Sequence, residues 1–229
     1  MEKGYKNSVV AFIDILGFRK MVDNSVDNAE IFDNIFRALE VMKYRKKRNR
    51  GTEHKEGMMV SIFSDSIVVS NRGGPIIADL EELLEDVMFI QNDLLRYNIV
   101  CRGGISVGPL YHSKSKVFGP ALNKAYDLER KRACYPRVVL EEDIFKQCEK
   151  IDKLTYDDKK IKQVSCKYLR TGKDEKNKNL LYVDYLHKYV NICNENVEEY
   201  IKKCKRENKD NYDVYQKYEW MLNYIKGEE

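Results

Sequence analysis

Val9-Val10-Ala11-Phe12-Ile13-Asp14-Ile15-Leu16-Gly17-Phe18 is the stretch on which the fold turns. An almost unbroken apolar run this short reads as a strand buried on both faces. Asp14 stands near its end, where a carboxylate costs several kcal/mol unless it is paired or bound to metal. Gly17 permits a tight turn, and Phe18 returns to the apolar side. A second stretch has the same character: Val60-Ser61-Ile62-Phe63-Ser64-Asp65-Ser66-Ile67-Val68-Val69. Two aspartates set in two hydrophobic strands point to a site for divalent metal.

The rest of the chain supplies the frame. Its 229 residues fit one domain with extensions or a domain plus a helical appendage, and 43% apolar residues suffice for a core. Lys and Arg total 41 against 37 Asp and Glu, so a net charge of +4 gives no argument for a nucleic-acid partner. No apolar run approaches the roughly 20 residues of a membrane span. Met1 to Lys6 has no signal-peptide core, so the expectation is a cytoplasmic protein. Cys101, Cys134, Cys148, Cys166, Cys193 and Cys204 form no CxxC pair, which argues against zinc and for reduced thiols. His54, His112 and His187 show no ligand spacing.

Periodicity predicts a strand over 8–14 and a helix over 27–46, where Ile31, Ile35, Leu39 and Met42 form one stripe. The basic run Lys43 to Arg50 suits the helix end. Residues 58–70 read as a hairpin or as one strand bent near Ser64-Asp65. A helix over 76–97 and a glycine-interrupted strand over 99–108 follow; such glycines mark close approach of a ligand or another backbone. Gly108-Pro109 predicts a turn into 110–118, and Gly119-Pro120 opens a helix to about Lys131. A strand over 137–140, a helix over 141–150, two strands over 162–170 and 180–186, and a helical tail over 193–226 complete the reading. The class is α+β or mixed α/β.

Four pieces together resemble the catalytic domain of class III nucleotidyl cyclases. They are Phe12-Ile13-Asp14-Ile15-Leu16-Gly17-Phe18, Ser64-Asp65-Ser66, Arg102-Gly103-Gly104-Ile105-Ser106-Val107-Gly108, and Phe118-Gly119-Pro120-Ala121-Leu122-Asn123-Lys124-Ala125-Tyr126-Asp127-Leu128-Glu129. The resemblance spans residues 8 to about 140. It implies an α+β, ferredoxin-like βαββαβ core over 1–188 with a C-terminal helical extension over 189–229, and a head-to-tail homodimer. It further implies that Asp14, Asp65 and the Ile15 carbonyl hold two Mg²⁺ or Mn²⁺ ions. Leu16, Gly17 and Phe18 would cradle phosphates through their backbone N–H groups. The reaction implied is attack of the ribose 3′-hydroxyl on the α-phosphorus of a nucleoside triphosphate, releasing pyrophosphate.

The departures from the pattern bear on substrate. The arginine expected four residues after Asn123 is Asp127; Arg130, one turn on, or Arg102 is the candidate replacement. The two positions that read a purine in the family hold Met59 and Lys116. This combination resembles the pyrimidine cyclases of bacterial anti-phage signalling (Pycsar), with UTP favoured and CTP the alternative. Tyr44 and Lys116 are the candidate base contacts, and Lys173 resembles the family's triphosphate lysine. A downstream effector would respond to the cyclic product. Each residue also has an ordinary reading. Asp14 can cap or pair, Asp65 in Ser-Asp-Ser is common turn chemistry, Asn123 can cap locally, Arg102 can be a surface charge and Tyr44 can pack in a core. A purine cyclase and a catalytically silent nucleotide-binding module are the competing functions.

Overall fold

The computed structural model describes residues 4–48, 58–186 and 196–227. The chain runs β1 (Lys6–Ile15), α1 (Phe18–Ser25), α2 (Ala29–Arg48), β2 (Met59–Phe63), β3 (Ser66–Asn71), α3 (Ile76–Arg96) and β4 (Cys101–His112). It continues with β5 (Val117–Phe118), α4 (Pro120–Arg132), β6 (Val138–Leu140), α5 (Ile144–Asp152), α6 (Asp158–Tyr168), β7 (Leu169–Lys173), β8 (Asn179–Val183), α7 (Asn196–Glu207) and α8 (Tyr212–Lys226). The expected boundary at 188/189 and Cys193 lie outside the described residues.

The strands form one sheet in the order β2-β3-β1-β4-β6-β8-β7, with β5 paired to β4. The first four strands carry the ferredoxin-like order, antiparallel throughout. β6 adds parallel to β4, and the β7–β8 hairpin extends the sheet antiparallel from β6. Period-two alternation decides what each face buries. Val9, Ala11, Ile13 and Ile15 join the main core with Leu80, Leu84, Val87 and Leu94 of α3. Val10 and Phe12 point the other way, towards Ala121 and Ala125 of α4.

That second packing requires Gly104. A Cβ there would stand 2.2 Å from the Ala125 carbonyl oxygen and 2.6 Å from Leu128 Cβ, so strand and helix meet backbone to backbone. The close approach anticipated for the glycine strand is therefore to a helix.

Three elements differ from expectation. β4 runs without a turn through Gly108-Pro109. Pro109 lies where only β1 flanks the strand, since β6 pairs with Gly103–Ile105 and β5 with Tyr111 and His112; proline is tolerated at such an edge. Residues 158–168 are helical rather than extended: Asp157 caps the helix by accepting from the Lys160 N–H (2.7 Å), and Ile161, Val164 and Tyr168 share one side. The expected helix over 27–46 is preceded by a separate short helix, α1.

The C-terminal hairpin α7–α8 packs through an aromatic cluster. The buried Arg137 guanidinium lies 5.2, 5.3 and 5.4 Å from the ring centroids of Tyr135, Tyr182 and Trp220, and its Nη2 donates to the Lys173 carbonyl at 2.8 Å. Trp220 stacks on Tyr135, and Tyr224 meets Tyr182 edge to face. No described helix is long and apolar enough to cross a membrane.

Candidate active site

Register fixes the position of Asp14. It lies opposite Ser66 of β3 and Arg102 of β4, on the face carrying Val10 and Phe12. α4 covers that face at Phe12, whose ring meets Tyr126 edge to face at 5.3 Å, but Asp14 lies at the strand end and its side chain remains 24% exposed.

Asp65 arrives through the β2–β3 turn. Ser64 adopts a left-handed backbone (φ 53°), which makes Ser64-Asp65 a two-residue connection. The Asp65 carbonyl then accepts the Ile15 N–H at 2.8 Å, pinning the hairpin tip to the end of β1. Ser66 Oγ donates weakly to Asp65 Oδ1 (3.4 Å).

Arg102 sits between two acids. Its Nη2 is 2.7 Å from Glu129 Oε1 and its Nε is 3.5 Å from Asp14 Oδ2. Glu129 projects from the buried side of α4, its side chain 5% exposed. Burial raises the Asp14 pKa above the usual carboxylate range; Arg102 opposes this, the Asp65 charge adds to it, and Lys217 of α8 opposes it more weakly. Glu129 is raised for the same first reason, burial, again opposed by Arg102. Asp14 and Glu129 thus share one guanidinium, and burial raises both carboxyls against it.

The remaining candidates separate into near and far. Gly17, with φ 72°, turns β1 into α1, so Gly17 and Phe18 lie beside Asp14. The Leu16 N–H is already spent on the Val100 carbonyl (2.9 Å), so of the expected cradle only Gly17 and Phe18 retain the role. Met59 is half-buried on β2 opposite Ser70. Asn123 and Arg130 are exposed on α4 and Asp127 pairs outward with Lys131 at 3.0 Å.

Lys116 lies past the Lys6 end of β1, next to the His112–Val117 pair and roughly 33 Å along the sheet from Asp14. It lines a concavity of about 440 Å³ with Tyr5, Tyr111 and Phe118. Lys173 ends β7 at the far sheet edge, four strand spacings or about 19 Å from β1. Tyr44 belongs to α2, but its side chain lies outside the described residues. One chain therefore gathers Asp14, Asp65, Ile15, Gly17, Phe18 and Arg102, and does not bring Lys116 or Lys173 to them.

Glu129 and Lys217 carry no role in the sequence reading. Glu129 had a signal: it is an acid on the stripe of α4 that carries Ala121 and Ala125. Lys217 had none, because only the docking of α8 brings it near. Among the described residues no group of three or more His, Cys, Asp or Glu side chains is placed to hold a metal. A pair of carboxylates still suits Mg²⁺, which takes one or two carboxylates and completes its octahedron with water and phosphate oxygens.

No family model matches the chain, and no curated protein matches it. Solved structures do. The catalytic core of a rhodopsin-guanylyl cyclase with converted specificity, in complex with ATPαS, is 14% identical and superposes with a TM-score of 0.50 over 79% of this chain and 96% of that one. A class III adenylyl cyclase-like ATP-binding protein from Pseudomonas aeruginosa gives 0.44 at 13% identity, over 62% of this chain and 34% of that one. An adenylate/guanylate cyclase/hydrolase from Silicibacter pomeroyi gives 0.35 at 14% identity, over 78% and 95%. The fold is that of a class III cyclase catalytic core, as the first of these shows.

Proposed function

We propose that the chain is a metal-dependent nucleotidyl cyclase converting a pyrimidine nucleoside triphosphate, UTP before CTP, to its 3′,5′-cyclic monophosphate and pyrophosphate. The observation that carries this reading is the meeting of Asp14 and Asp65 beside Arg102 at the open end of a cyclase-fold sheet. Asp14, Asp65 and the Ile15 carbonyl would hold two Mg²⁺ or Mn²⁺ ions. Bound there, the cations lower the pKa of the ribose 3′-hydroxyl and neutralise the triphosphate.

The chain's own residues do the rest. Arg102, steadied by Glu129, offers a guanidinium to the polyphosphate and opposes the rise that burial imposes on the Asp14 pKa. The N–H groups of Gly17 and Phe18, at the start of α1, face the phosphates. Asn123 and Arg130 are turned outward on α4, where a second copy in a head-to-tail homodimer would use them. Phe63 and Tyr126, exposed hydrophobic side chains of β2 and α4, fit burial in such a dimer. Met59 and Lys116 offer no purine-reading pair, which favours a pyrimidine. Lys116 and Lys173 retain their proposed contacts with base and triphosphate only from that second copy, and Tyr44 remains the proposed reader of the base. In this reading the protein works in the cytoplasm of a bacterium, and its cyclic product is a messenger in anti-phage defence.

The test is incubation of the purified protein with each of the four nucleoside triphosphates and Mn²⁺, with product mass read out. UTP or CTP consumption is expected, and Asp65→Ala abolishes it. Consumption of ATP or GTP alone would make it a purine cyclase. Nucleotide binding without turnover of any triphosphate would favour a silent module, a reading supported by Asp127 standing where an arginine is expected and pairing with Lys131 instead.

A further inference from the structure

The C-terminal hairpin carries a second concentration of charge, unrelated to Asp14. Lys202, Lys205, Arg206 and Lys209 are spaced i, i+3, i+4, i+7, so they lie along one side of α7 and the turn that continues it. They line a groove of about 560 Å³ whose other wall is Tyr215 and Leu222 of α8. Those two residues lie on the side of α8 away from the half-buried Trp220, which stacks on Tyr135, and the buried Tyr224, which meets Tyr182 edge to face; Leu222 is half-buried at the margin of the core. The groove therefore faces outward while the opposite side of the helix is docked.

Like charges at these spacings repel, each pair costing roughly 0.2–0.5 kcal/mol on an isolated helix. Two of the four cations are compensated within the hairpin. Lys202 pairs with Glu198 (2.9 Å) and Glu199 (3.1 Å); Lys205 pairs with Glu219 (3.1 Å) and lies 4.7 Å over the Tyr215 ring. Arg206 and Lys209 have no ion pair among the described residues. The helix dipole accounts for cations in the last turn of α7. It does not account for their convergence with an aromatic ring and a leucine around one concavity.

We propose that this groove binds a nucleotide: the base rests on Tyr215 and Leu222, and the phosphates are taken by Arg206 and Lys209. Aromatic stacking and guanidinium–phosphate contacts are the chemistry such a ligand uses. A nucleic-acid strand fits less well. The cationic track stops at Lys209, and Asp210 and Asp213 follow it immediately. The site needs no metal, which separates it from the carboxylate pair on β1.

The test is calorimetric titration of the full chain at low salt in EDTA, with UTP, inorganic triphosphate, 3′,5′-cyclic UMP and single-stranded oligonucleotides of increasing length. UTP or the cyclic nucleotide binds one per chain. Arg206→Glu with Lys209→Glu weakens that binding by about tenfold or more, with the circular dichroism spectrum unchanged. Arg206→Gln with Lys209→Gln replaces it if charge reversal disturbs folding, and weakens binding in the same direction. Tyr215→Leu weakens nucleotide binding but leaves inorganic triphosphate as it was. Three results overturn the proposal: no metal-free nucleotide binding, unaltered binding in the charge variants, or triphosphate binding equal to UTP and indifferent to Tyr215. Affinity that climbs with oligonucleotide length overturns it in favour of a strand. Because the measurement requires no turnover, it stands or falls separately from cyclase activity.

Discussion

Arg102 serves two carboxylates unequally, at 2.7 Å to Glu129 and 3.5 Å to Asp14, and burial raises the pKa of Asp14 against the opposing pull of that guanidinium. A carboxyl whose folded pKa lies above its unfolded value binds its proton more tightly in the fold. Ionised, it opposes folding, fully so above the raised folded value. Asp14→Asn is therefore expected to lose the proposed cyclase activity and gain stability near neutral pH. The gain shrinks as pH falls through the raised pKa towards the ordinary carboxylate value near 3.9. Urea midpoints at pH 7 and pH 4 check this; an Asn variant less stable at pH 7 would overturn the electrostatic account. At this scale Asp14 and Asp65 were legible because a charge in an apolar strand has few reasons to be there. Glu129 had only its place on the stripe of Ala121 and Ala125 to mark it, and its partner, Arg102 of β4, is set by the fold.

Among the elements, the β7–β8 hairpin shows how one side chain organises a turn. The Asp174 carboxylate accepts the backbone N–H of Lys176 (2.9 Å) and Lys178 (2.8 Å) and pairs with Arg132 at 2.6 Å, tying the hairpin to the end of α4. These contacts, the Lys178 hydrogen bond foremost, hold its carboxyl below the usual range. The sign is opposite to that of Asp14: the stabilisation is complete above the unfolded carboxylate pKa and is lost as pH falls through the lowered folded value. Asp174→Asn should melt below the wild type at pH 7, the gap closing in strong acid, as thermal scans from pH 7 to pH 2 would record. Legibility at this scale followed the strength of the apolar pattern. β1, β3 and α3 announce themselves through long buried runs. α1 does not, since none of its residues is buried. Residues 158–168 misled because Val164, Ser165 and Cys166 favour a strand locally, whereas the Asp157 cap and the side shared by Ile161, Val164 and Tyr168 decide for a helix.

For the molecule as a whole, the proposed site is shared. Asp14 and Asp65 stand at one end of the sheet, while Asn123 faces outward from α4. If two copies complete each other, Asp14→Ala and Asn123→Ala should each be inactive alone. Mixed in equal amounts they should regain roughly a quarter of wild-type rate, since half the dimers carry one intact site of two. No recovery on mixing, with exchange verified, would place all the machinery in one chain. The C-terminal hairpin belongs to this scale as well. Trp220→Ala removes the half-buried ring that stacks on Tyr135 and closes over Arg137, and should lower stability in denaturant unfolding by less than the roughly 3–5 kcal/mol of a fully buried aromatic. Its helices were readable from periodicity, but their seat was not, since nothing in a tail reveals the cation waiting for it. That seat has a consequence for how the protein is made. Arg137 leaves the ribosome long before Trp220 does, so the nascent chain holds a charged half-core until α8 emerges to close it. Termination within that interval would yield a product for chaperones and proteases to clear rather than a shorter folded protein.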